Sequence, residues 1–223
     1  MKILTNAVGC ALVVMALFAA CEQETYETGT GKYSLLQAEL VEAYSDAKHQ
    51  VNYVVTDEGL RLPLSKPHTA KWIDKSDTVY RAALYYNKVE EQAEVVQLVQ
   101  VSTPHIIPVD SFKSGVKTDP IKFESIWMSK NRHYLNLGAY LMMGTKEEVK
   151  EPQVLGIVAD SIALHADSTR TLYLRLYHDQ GGVPEYYSQH IYFSIPLMNV
   201  KTDSVRLTVS TYKGIVTRCF SMK

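Results

Sequence analysis

The histidines and cysteines of this 223-residue chain are the side chains best suited to metal or nucleophilic chemistry. The seven histidines, His49, His68, His105, His133, His165, His178 and His190, are scattered. None stands two residues from another along a strand or four along a helix, the spacings that aim two imidazoles at one ion. His178 beside Asp179, with the distant His190, is the one grouping that could serve a metal-dependent hydrolase; loop and strand-end histidines without such a role are the plainer reading. There is no phosphate loop, no GxSxG elbow and no HExxH. The expectation is therefore no catalytic residue, no metal and no cofactor. Glu147, Glu148 and Glu151 with Lys146 and Lys150 read as a solvated charge run.

Of the three cysteines, Cys21 has the most specific setting. Lys2 precedes an apolar and small-residue run over 7–20, too short to span a bilayer and suited to a signal-peptide core. The run ends Leu17-Phe18-Ala19-Ala20-Cys21, which resembles a lipobox, with Phe18 where Leu is usual. Cleavage before Cys21 and acylation of its thiol would make it the lipid attachment site. Two or more acyl chains would hold the protein lastingly on a bilayer. Residues 22–32 (EQETYETGTGK) lack aliphatic side chains and read as a flexible tether. With Cys10 lost in the signal and Cys21 acylated, Cys219 is left without a disulfide partner and reads as a small buried hydrophobe.

The elements that position any site are strands. Leu172, Leu174 and Leu176 alternate with Tyr173, Arg175 and Tyr177. Ile191, Phe193 and Ile195 alternate with Tyr192 and Ser194; Leu135 and Leu137 alternate with Tyr134 and Asn136. Val205, Leu207 and Val209 do the same with Arg206, Thr208 and Ser210. Such a period of two predicts antiparallel strands with one buried and one wet face. Residues 34–47 are rich in helix formers and taken alone favour a helix, although Leu36, Ala38 and Leu40 also alternate as in a strand. Thr56-Asp57-Glu58-Gly59 reads as a hairpin turn, 87–93 as a charged break, and 110–120 as a loop. The boundary falls near Pro108. Residues 22–107 carry 8 basic and 13 acidic side chains, a net of −5, and 108–223 carry 14 and 11, a net of +3. The expected fold is all-β: a small OB-like barrel over 33–108, then an antiparallel β-sandwich over 109–223, after a signal over 1–20 and a tether over 21–32. An acidic barrel whose tyrosines lack lysine clusters disfavours a nucleic-acid partner. Trp72 and the pair Tyr186 and Tyr187, close to Gly181-Gly182, are candidate partner-binding residues. In a strand, Tyr186 and Tyr187 would point to opposite faces, one inward and one to water. Trp127, between Ile126 and Met128, reads as core.

A resemblance adds to this. The lipobox cysteine is followed by Thr56-Asp57-Glu58-Gly59-Leu60, Asp77-Thr78-Val79-Tyr80-Arg81-Ala82, Asp119-Pro120-Ile121, Trp127 and Tyr134-Leu135-Asn136-Leu137. Then come Leu176-Tyr177-His178-Asp179, Glu185-Tyr186-Tyr187-Ser188 and Ser194-Ile195-Pro196-Leu197. This order resembles the NigD-like lipoproteins of Bacteroidota, in which Glu22 and Glu24 would match an acidic surface-export signal. The resemblance implies an N-terminal OB-type barrel and a C-terminal β-sandwich, turns 34–47 into a first strand, and supplies no catalytic residues. Residues 145–153 depart from it as an insertion or divergent hairpin. The family's name implies a bacteriocin-immunity or accessory role. The expected function is a non-catalytic binding or interaction module of the cell envelope. Its partners would be the bilayer, through acylated Cys21, and a protein or glycan; its place would be the outer membrane, on either its periplasmic or its surface-exposed face.

Overall fold

The structure, a computed structural model, describes residues 35–145 and 151–223. Cys21, the signal, the tether and most of the 145–153 segment lie outside the described residues. The described chain is all-β. Strands β1 (Leu36–Ser45), β2 (Val51–Thr56), β3 (Arg61–His68), β4 (Val79–Val89) and β5 (Gln92–Gln100) close into a barrel in the order β1-β2-β3-β5-β4. Val41, Ala43, Val54, Tyr80, Ala82 and Leu84 fill its interior. The segment with helical composition is β1. Its Val41 and Ala43 enter the barrel core, and Glu42 between them is also buried, so packing on both faces overrides local propensity.

The second body has two sheets. One contains β11 (Tyr187–Pro196), β8 (Tyr134–Met143) and β7 (Lys122–Met128), with β8 in the middle. The other runs β13 (Gly214–Ser221), β12 (Ser204–Thr211), β10 (Arg170–Asp179), β9 (Val154–Leu164), β6 (Ile106–Pro108). Pairing is antiparallel except for β10 with β12 and β6 with β9. Leu135, Leu137, Phe193 and Ile195 from the first sheet meet Leu172, Leu174, Leu176, Val205 and Leu207 from the second in one core. β6, at the expected boundary, joins the sandwich through β9. Leu36–Lys223 forms one compact unit.

Two expectations are corrected here. The faces of β8 and β11 expected to be wet are partly dry: Tyr134 is 5% exposed, and Asn136 and Ser194 are fully buried. The outer surface of the barrel covers them. The charged break at 87–93 is also narrower than expected, since β4 continues to Val89 and β5 resumes at Gln92.

Candidate functional site

Directly opposed residues on paired strands project from one face. The outer face of the β11-β8-β7 sheet therefore carries successive rows: Trp127–Asn136–Ser194, Ser125–Gly138–Tyr192 and Lys122–Tyr140–His190. The barrel sits on part of the first row through Arg81 of β4, itself 4% exposed. Arg81 grips Asp57 with two parallel bonds, Nη1 to Oδ1 at 2.7 Å and Nη2 to Oδ2 at 2.9 Å. Its Nε donates to Ser194 Oγ at 3.1 Å and its Nη2 to Asn136 Oδ1 at 3.2 Å. Ser194 Oγ donates to Asn136 Oδ1 at 2.7 Å, and the guanidinium lies 4.1 Å from the centroid of the Tyr134 ring. Forked pairing and ring stacking both need the planar guanidinium, which lysine lacks.

The turn chemistry puts Asp57 in place. Gly59 takes φ of 84°, its N–H donating to Thr56 O at 2.9 Å, and closes the β2–β3 hairpin. Asn131 N–H then donates to Asp57 O at 2.8 Å, fastening the hairpin tip to the β7–β8 turn. Beside this lock, Glu42 is 5% exposed, accepts from Tyr44 Oη at 3.0 Å and faces His133 Nδ1 at 3.1 Å. Burial, and next Glu42, push the Tyr44 hydroxyl up to about 12; burial first and then Glu42 raise Tyr134 as well.

Beyond the lock, the rows emerge and form a trough between sheet and barrel. Trp127 and Tyr192 meet edge-to-face, centroids 6.2 Å apart at 89°. Tyr192 continues to His190 at 4.6 Å, and His190 to Tyr140 at 4.7 Å. Opposite stand Leu40, Ala83 and Tyr85 of the barrel. One lobe of about 450 Å³ holds Trp127, with Glu39, Glu58 and Lys130 at its rim; a second of about 510 Å³ holds His190, Gln100 and Gln189. Ala83, Tyr85 and Tyr192 line both lobes. A Cβ on Gly138 would stand 2.5 Å from Glu124 Oε2, so the glycine makes room for that carboxylate, which pairs with His190 Nε2 at 2.7 Å. Burial, then the neighbouring Tyr85, Glu124 and Tyr140, raise the Tyr192 hydroxyl. The named carboxylates are engaged: Asp57 with Arg81, Glu58 with Lys130, Glu124 with His190, and Glu39 as acceptor of Tyr86 Oη at 2.7 Å.

Apart from His190, the residues singled out in the sequence lie elsewhere. Trp72 is half-buried against the barrel core, edge-on to Tyr80 at 5.5 Å. Tyr186 and Tyr187 are 65% and 52% exposed, so the expected inward-facing partner is corrected. Tyr186 precedes β11, and the first residues of that strand are exposed, paired along β8 out to Met143. Tyr187 Oη donates to Gly144 O at 3.2 Å. Cys219 is exposed, not buried, because it lies on the edge strand β13 opposite Arg206. His178, Asp179 and His190 do not form a cluster. His178 is 1% exposed, with Nδ1 3.0 Å from Asp119 O and Nε2 3.3 Å from Gln153 Oε1. Asp179 accepts from Lys117 at 2.6 Å, which is the first cause of its lowered pKa, and His190 belongs to the other sheet. Among the described residues no group of three or more His, Cys, Asp or Glu could hold a metal ion. The sequence reading missed Trp127 because its apolar neighbours read as core; the residue is half-buried and its ring borders the trough.

The NigD-like C-terminal beta sandwich domain matches residues 105–221. The crystal structure of a NigD-like immunity protein from Bacteroides caccae is similar with a TM-score of 0.64 and 24% identity, over 82% of this chain and 91% of that one. A protein of unknown function from Bacteroides vulgatus gives 0.65 and 16%, over 83% and 90%. A candidate lipoprotein from Bacteroides fragilis gives 0.57 and 13%, over 84% and 98%. At these identities the likeness is one of fold. No curated protein sequence matches the chain.

Proposed function

The chain belongs to the NigD-like family, and from that premise we propose that it is a lipid-anchored, non-catalytic binding module of the cell envelope, with the barrel–sandwich trough as its recognition site. The observation that carries this reading is the lock around Arg81. The buried Arg81–Asp57 fork of the barrel, whose Arg81 also donates to Ser194 and Asn136 of the sandwich, fixes both walls of the trough before any ligand arrives, which lowers the ordering cost of binding. Half-exposed aromatic rings with polar groups at their margins are the usual furnishing of a small-ligand site. Acylated Cys21 and the 22–32 tether would hold this body off the outer membrane, in line with the lipoprotein description of the Bacteroides fragilis neighbour.

The test is photo-crosslinking in intact cells. A photoreactive residue replaces Ser125, in the trough row, or Thr208, on the outer face of the other sheet. A discrete adduct from position 125 and none from 208 is expected. Equal labelling from both, or none from 125, would remove the trough from the account. The immunity description of the Bacteroides caccae structure favours a second reading, in which the ligand is a toxin. Under that reading, deleting the chain should sensitise cells to culture supernatants of related strains.

A further inference from the structure

We propose that the trough takes a single soluble chain of neutral sugars, a reading that rests on the trough being the recognition site. Three features select this chemistry. The two lobes join across Tyr85 and Tyr192, and each lies within the range of about 300–1,000 Å³ typical of small-ligand pockets, so together they accommodate an extended oligomer. A pyranose has an apolar C–H face and a hydroxyl rim. Trp127 and Tyr192 supply ring faces for the first; Glu39, Glu58 and Gln189 supply hydrogen-bonding groups for the second. Two carboxylates beside the trough are paired within the protein, Glu58 with Lys130 and Glu124 with His190, and a third, Glu39, accepts from Tyr86 Oη. An uncharged ligand leaves these contacts intact, whereas an anion would meet the Glu39 and Glu58 carboxylates at the rim.

The geometry also discriminates among ligands. The rings of Trp127 and Tyr192 stand at 89°, so they cannot both lie on one flat surface. A crystalline polysaccharide needs coplanar rings; a flexible chain can turn from one ring to the other.

The experiment is affinity electrophoresis of the full chain in detergent through gels containing soluble starch, xylan or galactomannan, with polygalacturonate as the anionic comparison. Calorimetry with the matching hexasaccharide follows. Retardation by at least one neutral polymer is expected, with none by polygalacturonate and no sedimentation with microcrystalline cellulose. Trp127→Ala and Tyr192→Ala should each weaken hexasaccharide binding by about tenfold or more, as removal of a central aromatic anchor does. Trp127→Phe should keep part of it, and Tyr186→Ala should leave it unchanged. No retardation by any neutral polymer, stronger retardation by polygalacturonate, cellulose binding, or loss on Tyr186→Ala alone would overturn the proposal. A displayed-peptide selection separates this failure from that of the underlying reading. Peptides whose capture is lost in Trp127→Ala would keep the trough and remove the glycan. Failure of both sugars and peptides would remove the trough as well.

Discussion

Replacing Arg81 by methionine keeps most of the aliphatic stem and deletes the guanidinium. Ser194 and Asn136 lose one bond each but keep the 2.7 Å bond between them, so the damage concentrates on Asp57. Its carboxylate loses both arms of the fork, retaining Asn136 Nδ2 at 3.3 Å. Breaking a buried ion pair by removing one partner costs about 3–5 kcal/mol. Asp57 has a side chain 18% exposed, so some water reaches it, which places the loss near the lower end, about 3 kcal/mol. For a chain of this size that is a fall in Tm of roughly 6–12 °C. Urea unfolding of the full chain in detergent, followed by near-ultraviolet circular dichroism, reads the change. Arg81→Lys should recover the charge but not the fork, and fall between the two. Adding Asp57→Asn to Arg81→Met should recover part of the loss, because the stranded charge is gone. A loss below about 0.5 kcal/mol for Arg81→Met, the level of an ordinary surface change, would refute the claim that the Arg81 network locks barrel to sandwich.

Four further outcomes are expected. Tyr44 is neutral in the folded state to about pH 12 against an ordinary value of 10.0, so its contribution is fully present below pH 10 and is lost as pH rises toward 12; Tyr44→Phe should flatten the alkaline decline of stability across that window, and an unchanged slope would contradict it. Gly138→Ala should displace the Glu124 carboxylate from His190 at a cost in stability, since its Cβ would meet Glu124 Oε2 at 2.5 Å and Ser125 Oγ at 2.9 Å; unaltered His190 ring chemical shifts by NMR would show otherwise. Cys219 should react with a thiol reagent in the native protein at a rate close to that of a free thiol, and Cys219→Ser should change stability by less than about 0.5 kcal/mol. Cys21→Ser should abolish detergent-phase partitioning; a variant that still carries covalent lipid would refute the anchor.

The alternation of Leu172, Leu174 and Leu176 with Tyr173, Arg175 and Tyr177 was enough to orient β10, because one of its faces meets only the sandwich core. The same alternation misassigned part of β8 and β11. Tyr134, Asn136 and Ser194 have the polarity of a wet face and are dry, since the barrel covers them, Arg81 bonds Asn136 and Ser194, and Glu42 meets the Tyr134 hydroxyl. A period of two reports two faces; it does not report which face a second body will cover. The segments that carried the family resemblance contain the members of this lock, Asp57 in the 56–60 turn, Arg81 in 77–82, Tyr134 and Asn136 in 134–137, and Ser194. Their convergence depends on barrel closure and on the seating of the barrel, which no local pattern encodes. The trough was hidden for the same reason. Trp127, Tyr192 and His190 come from two strands about sixty residues apart in sequence and become neighbours only through their shared pairing with β8.

The most direct test of the trough as a recognition site uses its own indole. The chain has two tryptophans, so Trp72→Phe leaves Trp127 as the sole reporter. Titrating that variant with the hexasaccharides of starch, xylan and galactomannan should give, for at least one, a saturable change in Trp127 emission that is lost in Tyr192→Ala. Emission that stays constant with every sugar and with every selected peptide would contradict the assignment of the trough.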